Sequence, residues 1–434
     1  MAGELGSALA GWRTVPLESV MEAIIDYRGK SPTKTTSGIP LITAKIVKGG
    51  RILPPEEFIA AKDFDEWMRR GLPHPGDVLV TTEAPLGEVA QLDHRKVALA
   101  QRIIALRGKP DVLDNAFLKF LLQSESVQTA MKARSTGTTV FGIRQSELRQ
   151  VPLMLPPLSE QQSIARILGS MDDKIEVNRK MNETLEAMAR ALFKSWFVDF
   201  DPVRAKAEGR DTGLPAHIAN LFPGSFEDSE LGEIPAGWTP GCLGEVADNP
   251  RRTVSANEIA DGTPYIALEH MPRECISLSD WDNADGVESS KFAFKKREIL
   301  FGKLRPYFHK VGVAPIDGLC STDILVITPK APEWFGFILE HTSSREFVQH
   351  TNAGSTGTKM PRTNWADMSR YRLPIPPAPL ARAFTDIVHP MMDHVVASVH
   401  ESRLLAEMRD GLLPKLISGQ VRVKVTAQLA EVTT

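Results

Sequence analysis

Shifted by 220 positions, this chain repeats itself. Ser135-Thr136-Gly137-Thr138 falls on Ser355-Thr356-Gly357-Thr358, and Pro156-Pro157 on Pro376-Pro377. Farther along, Met171 meets Met391, Leu185 meets Leu405, Met188 meets Met408 and Leu192 meets Leu412. Upstream the match needs small gaps: GWRTVPLESV (11–20) pairs with GWTPGCLGEV (237–246), and GDVLVTTEAPLGEVA (76–90) with REILFGKLRPYFHKVGVA (297–314). Two copies of a unit of roughly 200 residues are too few and too large for a solenoid, so the chain is a duplicated domain.

Each copy has one order of elements. Period-2 runs such as Asp77–Thr81 and Ile324–Thr328, set off by Gly and Pro, read as strands. A short helix follows (Ala116–Ala133; Pro332–Thr351), then the Ser-Thr-Gly-Thr loop, a strand and a Pro-Pro stop. A long helix closes the copy. In the first, Ser159 with Gln162 forms a capping-box pattern. Ile164, Leu168, Met171, Ile175, Asn178, Met181, Leu185, Met188 and Leu192 then recur at three and four, a coiled-coil-like seam with one polar position. The second copy gives Phe384, Ile387, Met391, Val395, Leu405, Met408 and Leu412, and Pro390 means that this helix is either kinked or begins there. Each helix would run about 50–60 Å. A single apolar stripe commonly packs on a neighbouring domain, but two such helices after equivalent domains point to an antiparallel pair. The fold class expected is mixed α/β (α+β) with an internal pseudo-two-fold repeat. The segment Asp199–Pro235, rich in Gly, Pro and charge, reads as linker with a little helix.

Composition narrows the function. The 434 residues carry 51 Lys+Arg against 54 Asp+Glu and 42% apolar residues, an ordinary globular balance that argues against disorder. No apolar run approaches the roughly 18 residues of a membrane span, and the first fifteen residues lack the pattern of a signal peptide. Cys242, Cys275 and Cys320 are too far apart for a CxxC site and read as reduced thiols of a cytoplasmic protein. Catalytic signatures are few. Gly29-Lys30-Ser31 imitates the tail of a phosphate-binding loop, but Ile24 stands where that loop needs glycine. Asp172-Asp173-Lys174 lies within the long helix, where charge is normally a solvated face. His270 and His309 have no ligand spacing. The expectation is a chain that is not an enzyme and holds no metal or cofactor.

Positive charge is unevenly placed. Arg28, Lys30, Lys34, Lys45, Lys48 and Arg51 fall in a stretch without an acid, as do Arg95, Lys96, Arg102, Arg107 and Lys109. In the second copy Lys303, Arg305, His309 and Lys310 surround Tyr307, and Arg251, Arg252, Lys359 and Arg362 add to them. Clustered Lys and Arg neutralise phosphates, and Arg on a loop can read base edges. The Ser-Thr-Gly-Thr loops admit two readings. Gly137 and Gly357 cap the preceding helices, or Thr136, Thr138, Thr356 and Thr358 hold a DNA phosphate with those glycines. Arg144 beside the first loop joins the candidate DNA contacts.

The order domain–helix–domain–helix resembles the specificity (S) subunit of type I restriction-modification systems. So do GIPLITAKIVKGGRI, PGDVLVTTEAPLGEVA, STGTTVFGIRQSELRQVPLMLPPLSEQQSIA, FKSWFVDFDPVRAK and the terminal LLPKLISGQV. The resemblance spans about residues 11 to 421. It implies target-recognition domains at 11–157 and 237–377, spacer helices at 158–198 and 378–420 forming an antiparallel coiled coil, and a linker at 199–236. It further implies a non-catalytic subunit that reads an asymmetric bipartite target in double-stranded DNA. Two methyltransferase (M) subunits using S-adenosylmethionine would dock on Leu168, Met171, Ile175, Met181, Leu185, Met188, Leu192, Met391, Val395, Leu405, Met408 and Leu412 or be carried by the helices these residues pair. Restriction (R) subunits would add ATP- and Mg-dependent cleavage. The alternative from another class is a coiled-coil scaffold for protein partners without DNA.

Overall fold

The computed structural model describes residues 11–27, 29, 31–354 and 360–423. Arg28, Lys30, Thr356, Gly357, Thr358 and Lys359 lie outside the described residues. The chain divides into two units, 1–173 with 405–434, and 174–404.

The first unit is organised by a four-stranded antiparallel sheet in the order Met21–Asp26, Ile103–Gly108, Val78–Thr82, Leu86–Gln91. Val78–Thr82 is buried at all five positions. The expected strand is present, and as an interior strand with both faces covered it sends alternate side chains into two different cores. Val78, Val80, Ile104 and Leu106 enter one core with the helices, while Leu79, Ile103 and Ala105 enter a second. That second core is closed by the smaller sheet Phe58–Ile59, Ile39–Ile42, Ala98–Leu99.

The second unit repeats the plan. Ala247–Asp248, Ile324–Pro329, Ile299–Gly302 and Val311–Val313 pair in the same order, and a five-stranded sheet lies beside them. The alternation again sorts side chains, with Ile299, Phe301 and Ile327 in one core and Leu300, Ile324 and Val326 in the other.

Each expected short helix is two. Asn115–Gln123 and Glu125–Ala133 are separated at Ser124, and Phe335–Ser343 and Arg345–Ala353 at Ser344. Both serines are extended (ψ 146° and 151°), and Ser344 Oγ accepts from the Phe347 amide at 3.1 Å. A serine that caps a new helix competes with the old one, which periodicity alone does not register.

The long helices are Leu158–Phe193 and Ala378–Ile417. The first starts before the expected cap: the Pro157 carbonyl accepts from the Glu160 and Gln161 amides, and Ser159 lies inside the first turn. The second begins at Ala378 and runs through Pro390. Val388 and Met392 stay buried on either side of that proline, so packing offsets the missing hydrogen bond. Within each unit the helices run antiparallel. Asp172 accepts from Arg409 at 2.7 Å in the first, and in the second Asn178 donates to Glu401 at 2.8 Å while the Phe193 and Phe384 rings lie 6.2 Å apart. Beyond Phe193 a π-helical turn, Lys194–Val198, keeps Trp196 and Phe197 buried. The segment read as linker holds the helix Asp201–Ala207 and a hairpin, Phe226–Ser229 with Gly232–Pro235.

The seam differs from the sequence reading after Asn178. Leu168 and Val395 are buried, and Met171, Ile175, Leu185, Leu192, Met391, Leu405 and Leu412 are half-buried. Met181, Met188 and Met408 face solvent, 43%, 52% and 46% exposed. The interior positions of the first helix are instead Asn182, Glu186, Ala189 and Phe193, one residue later. Two of these are polar, so a search for apolar periodicity steps over them. Glu186 is held inside by hydrogen bonds, accepting from the Ile276 and Ser277 amides, each at 2.9 Å. No described helix is long and apolar enough to cross a membrane.

Glu340 and His341 sit beside each other in the second unit's core, 1% and 7% exposed. Burial pushes the Glu340 carboxyl up to about 8, opposed by Arg190 and aided by Glu186, and pushes His341 down to about 3. The native state thus retains the Glu340 proton that an unfolded chain releases above its ordinary value of 4.5, so this group's contribution falls as pH rises from there to about 8. The neutral His341 acts oppositely, but only below its ordinary 6.5. Urea unfolding followed by tryptophan fluorescence should therefore show stability declining from pH 6.5 to 8. Glu340→Gln should flatten that decline, and an unchanged slope would contradict the assignment.

Candidate nucleic-acid interface

Four sequence stretches converge on one face of the first unit. Gly29, Thr82, Glu83, Gln101, Arg102 and the 136–144 loop line a concavity of 460 Å³. The loop is closed at its base, where Thr136 and Gly142 exchange two backbone hydrogen bonds of 2.9 Å. Gly142 also bridges to Glu83, and the Ile143 amide donates to the Thr82 carbonyl at 2.9 Å. The loop is thereby pinned to the end of the central strand.

Gly137 has φ 117° and stands four residues past the helix end at Ala133, where Arg134 is the cap. The helix-cap reading of Gly137 therefore does not hold; Gly357 lies outside the described residues. What requires glycine is closeness: a Cβ at Gly137 would lie 2.1 Å from the Val140 carbonyl oxygen.

Of the expected residues, Thr136, Gly137 and Arg144 line the concavity, and Thr138 is exposed on the same loop. Arg144 precedes the short helix Gln145–Arg149 without capping it, and its exposed guanidinium has no ion pair among the described residues. Lys34, Lys45 and Arg51 are exposed but do not line the concavity; Lys34 pairs with Glu57 at 2.9 Å. In the second basic stretch, Arg107 turns inward to Asp77, 2.8 Å away and 1% exposed, and is a core ion pair. Glu83, Gln101 and Arg102 were not among the expected contacts, although Arg102 falls in a basic stretch. Arg102 and Glu83 lie 3.6 Å apart at the floor. The signal for Arg102 is conformational, a non-glycine residue at φ 72°.

The second unit rebuilds the backbone of this floor. Ala84 and Arg305 share φ 50° and 51° before a proline. The Lys303 carbonyl accepts from the Thr363 amide as Thr82 does from Ile143, and Leu304 bridges Arg362 as Glu83 bridges Gly142. The Asp323 carbonyl accepts from the Lys303 amide as the Arg102 carbonyl does from Thr82. The side chains differ throughout: Lys303 stands for Thr82, Leu304 for Glu83, Asp323 for Arg102, Arg362 for Gly142 and Asn364 for Arg144. The floor ion pair is made from another position, Arg362 to Asp323 at 3.4 Å. Asn364 is occupied as a helix cap, accepting from the Asp367 amide at 3.0 Å.

The remaining candidates of this unit separate. Lys303 is half-buried and has no ion pair among the described residues, and Tyr307 is 51% exposed. Arg305 stacks its guanidinium 5.9 Å from the Phe308 ring. Two expectations need correction. Lys310 turns inward and donates to the Leu268 carbonyl, because the fold leaves that acceptor buried beside it, and desolvation lowers the ammonium from its ordinary value. Arg252 forms a two-pronged pair with Glu298 at 2.6 and 2.7 Å, whose hydrogen bonds raise the guanidinium further. Neither is free to neutralise a phosphate, whereas Arg251 beside it is exposed. Among the described residues no cluster of His, Cys, Asp and Glu could hold a metal ion.

Gly137→Ala should force the loop apart at Val140. Hydrogen exchange at the Gly142 amide should accelerate at least tenfold while the Val78–Thr82 strand stays protected; equal protection in both would contradict the close-approach argument.

Residues 10–187 match the family model described as "Type I restriction modification DNA specificity domain". Over 384 residues the chain is 27% identical to the type I restriction enzyme MjaIX specificity subunit of Methanocaldococcus jannaschii, covering 85% of this chain and 83% of that one. It is 26% identical over 347 residues to the EcoDI specificity subunit of Escherichia coli, covering 72% and 75%. Among solved structures, the type I restriction-modification S subunit from M. genitalium is similar in fold, with a TM-score of 0.55 and 16% identity over 93% of this chain and 96% of that one.

Proposed function

We infer, from the match of residues 10–187 to the type I restriction-modification DNA specificity domain and the similarity to specificity subunits over most of the chain, that its two repeated floors each read one half of a split DNA target. The observation that carries this is the pairing of one backbone with two sets of side chains. Thr82, Glu83, Arg102 and Arg144 are replaced by Lys303, Leu304, Asp323 and Asn364 at matching positions. Equal backbones would approach the duplex alike, while unlike side chains would select unlike bases. The target is accordingly asymmetric and bipartite, and the bases between the halves are not read.

In this reading the chain performs no chemistry. Val177, Met181 and Met188 on the first long helix and Leu404 and Met408 on the second are exposed apolar side chains of the kind that suits partner subunits. Two methyltransferase subunits would dock there and bring S-adenosylmethionine for adenine methylation. Restriction subunits would bring the ATP- and Mg-dependent step, and the assembly would work in the cytoplasm.

The decisive experiment expresses this chain with its methyltransferase partner in a methylation-free host and maps modified adenines by single-molecule sequencing. One split motif, absent when this chain is omitted, is expected. An active, bound partner without any motif would favour the scaffold alternative. A second measurement concerns charge. Arg144→Ala and Lys303→Ala should each lower the slope of log binding constant against log salt by about one, because each removes one phosphate neutralisation. A slope unchanged in both would place those side chains off the DNA.

A further inference from the structure

Val140 stands on a ridge. It lines both the 460 Å³ concavity and a second one of 710 Å³ beside it. The first is walled by Gln101, Arg102, Thr136 and Arg144, the second by Pro85, Leu86 and Phe141. Val140 is 52% exposed and Phe141 41% exposed, large apolar side chains turned to water on an otherwise polar loop. The loop that presents them is not slack: it is closed by the Thr136–Gly142 hydrogen bonds and by the tight passage of Gly137 against the Val140 carbonyl. In the second copy the matching residue is Met360, 49% exposed, next to Pro361, whose carbonyl accepts from the Arg305 amide at 2.7 Å. Both copies therefore place an exposed apolar residue two positions before the residue that bridges the floor, Gly142 in the first and Arg362 in the second.

We propose that Val140 and Met360 are specificity-determining residues, each packing on the 5-methyl group of a thymine in the major groove of its own half-site. This rests on the DNA-reading function inferred above. The edges of the bases offer donors and acceptors in the major groove, and the thymine methyl is the apolar feature among them. Arg102, Arg144 and Gln101 supply charge and hydrogen bonds on one side of Val140, so the ridge is where an apolar contact would be added to polar ones. At Val140 a wedge that parts a base step is less suited to the geometry. Val140 is short and stiff at χ1, whereas wedging side chains are typically longer. Phe141, which is large enough, lies under the Lys132 ammonium, 5.6 Å from its ring centroid.

The test uses the assembled complex with its methyltransferase partner and duplexes carrying the mapped motif, with each thymine in turn replaced by deoxyuridine. One replacement in one half-site should weaken binding about three- to fivefold, the value of one buried methyl-sized group. Val140→Ala should weaken binding to the unmodified duplex by a similar factor and then be indifferent to that one replacement. Met360→Ala should behave the same way at a thymine of the other half-site. Both side chains are exposed, so neither substitution removes a core contact. Indifference of the parent complex to every replacement, losses that multiply in the variants, or a half-site lacking thymine would each overturn the proposal. A 2-aminopurine signal of unstacking that Val140→Ala abolishes would replace the methyl contact by a wedge. Those outcomes leave DNA reading standing; a complex that selects no split motif would remove both inferences together.

Discussion

The second unit depends on an aromatic knot in which the end of one long helix meets the beginning of the other. Phe193, Trp196 and Phe197 interlock with Phe384 at centroid distances of 5.0 to 6.2 Å, and Phe337 of the helix Phe335–Ser343 closes on Phe197 at 5.1 Å. Large rings bury much apolar area, and tilted or edge-on pairs add a geometric preference to that burial. Because residues from both long helices and from the helix Phe335–Ser343 share one cluster, none of the three can shift without opening the others. The π-helical turn Lys194–Val198 belongs to the same constraint, since it turns Trp196 and Phe197 together into the core.

The polar interior of the first long helix modifies this picture. Asn178, Asn182 and Glu186 lie where an apolar ladder would place Leu or Met. Each polar group taken from water must find partners or cost stability. Asn178 finds Glu401 and Ser402, and Glu186 finds two amides and the Cys275 thiol. The Asn178 bonds fix where the helices stand along one another, a specification that sliding hydrophobic surfaces alone would leave loose, and the Glu186 bonds tie the first helix to the segment at 275–277.

The fold was legible in the sequence where the signal was repetitive. The 220-residue offset disclosed the duplication, and apolar spacing disclosed both long helices, including the one that runs through Pro390. Local competition was not legible. Ser124 and Ser344 divide helices through a change of backbone, and the hairpin Phe226–Pro235 lies in a segment whose composition reads as loop. At the site, Thr136, Gly137 and Arg144 could be chosen from the loop motif, while Glu83, Gln101 and Arg102 reach it only through the strand ends that carry them. Charge counting also cannot tell a solvated cation from one turned inward. Arg107, Arg252 and Lys310 sit in acid-free stretches, yet the acids and carbonyls that hold them come from elsewhere in the chain.

The Glu186 carboxylate grips the strand-rich part of the second unit through the main-chain amides of Ile276 and Ser277, groups that every residue except proline supplies. That attachment is therefore indifferent to the side chains at 276 and 277 so far as its hydrogen bonds go. Surface residues elsewhere on the fold can be exchanged without weakening this grip. The handle is thus written in backbone, and a change of side chain at either position to any residue but proline leaves both of its donors in place.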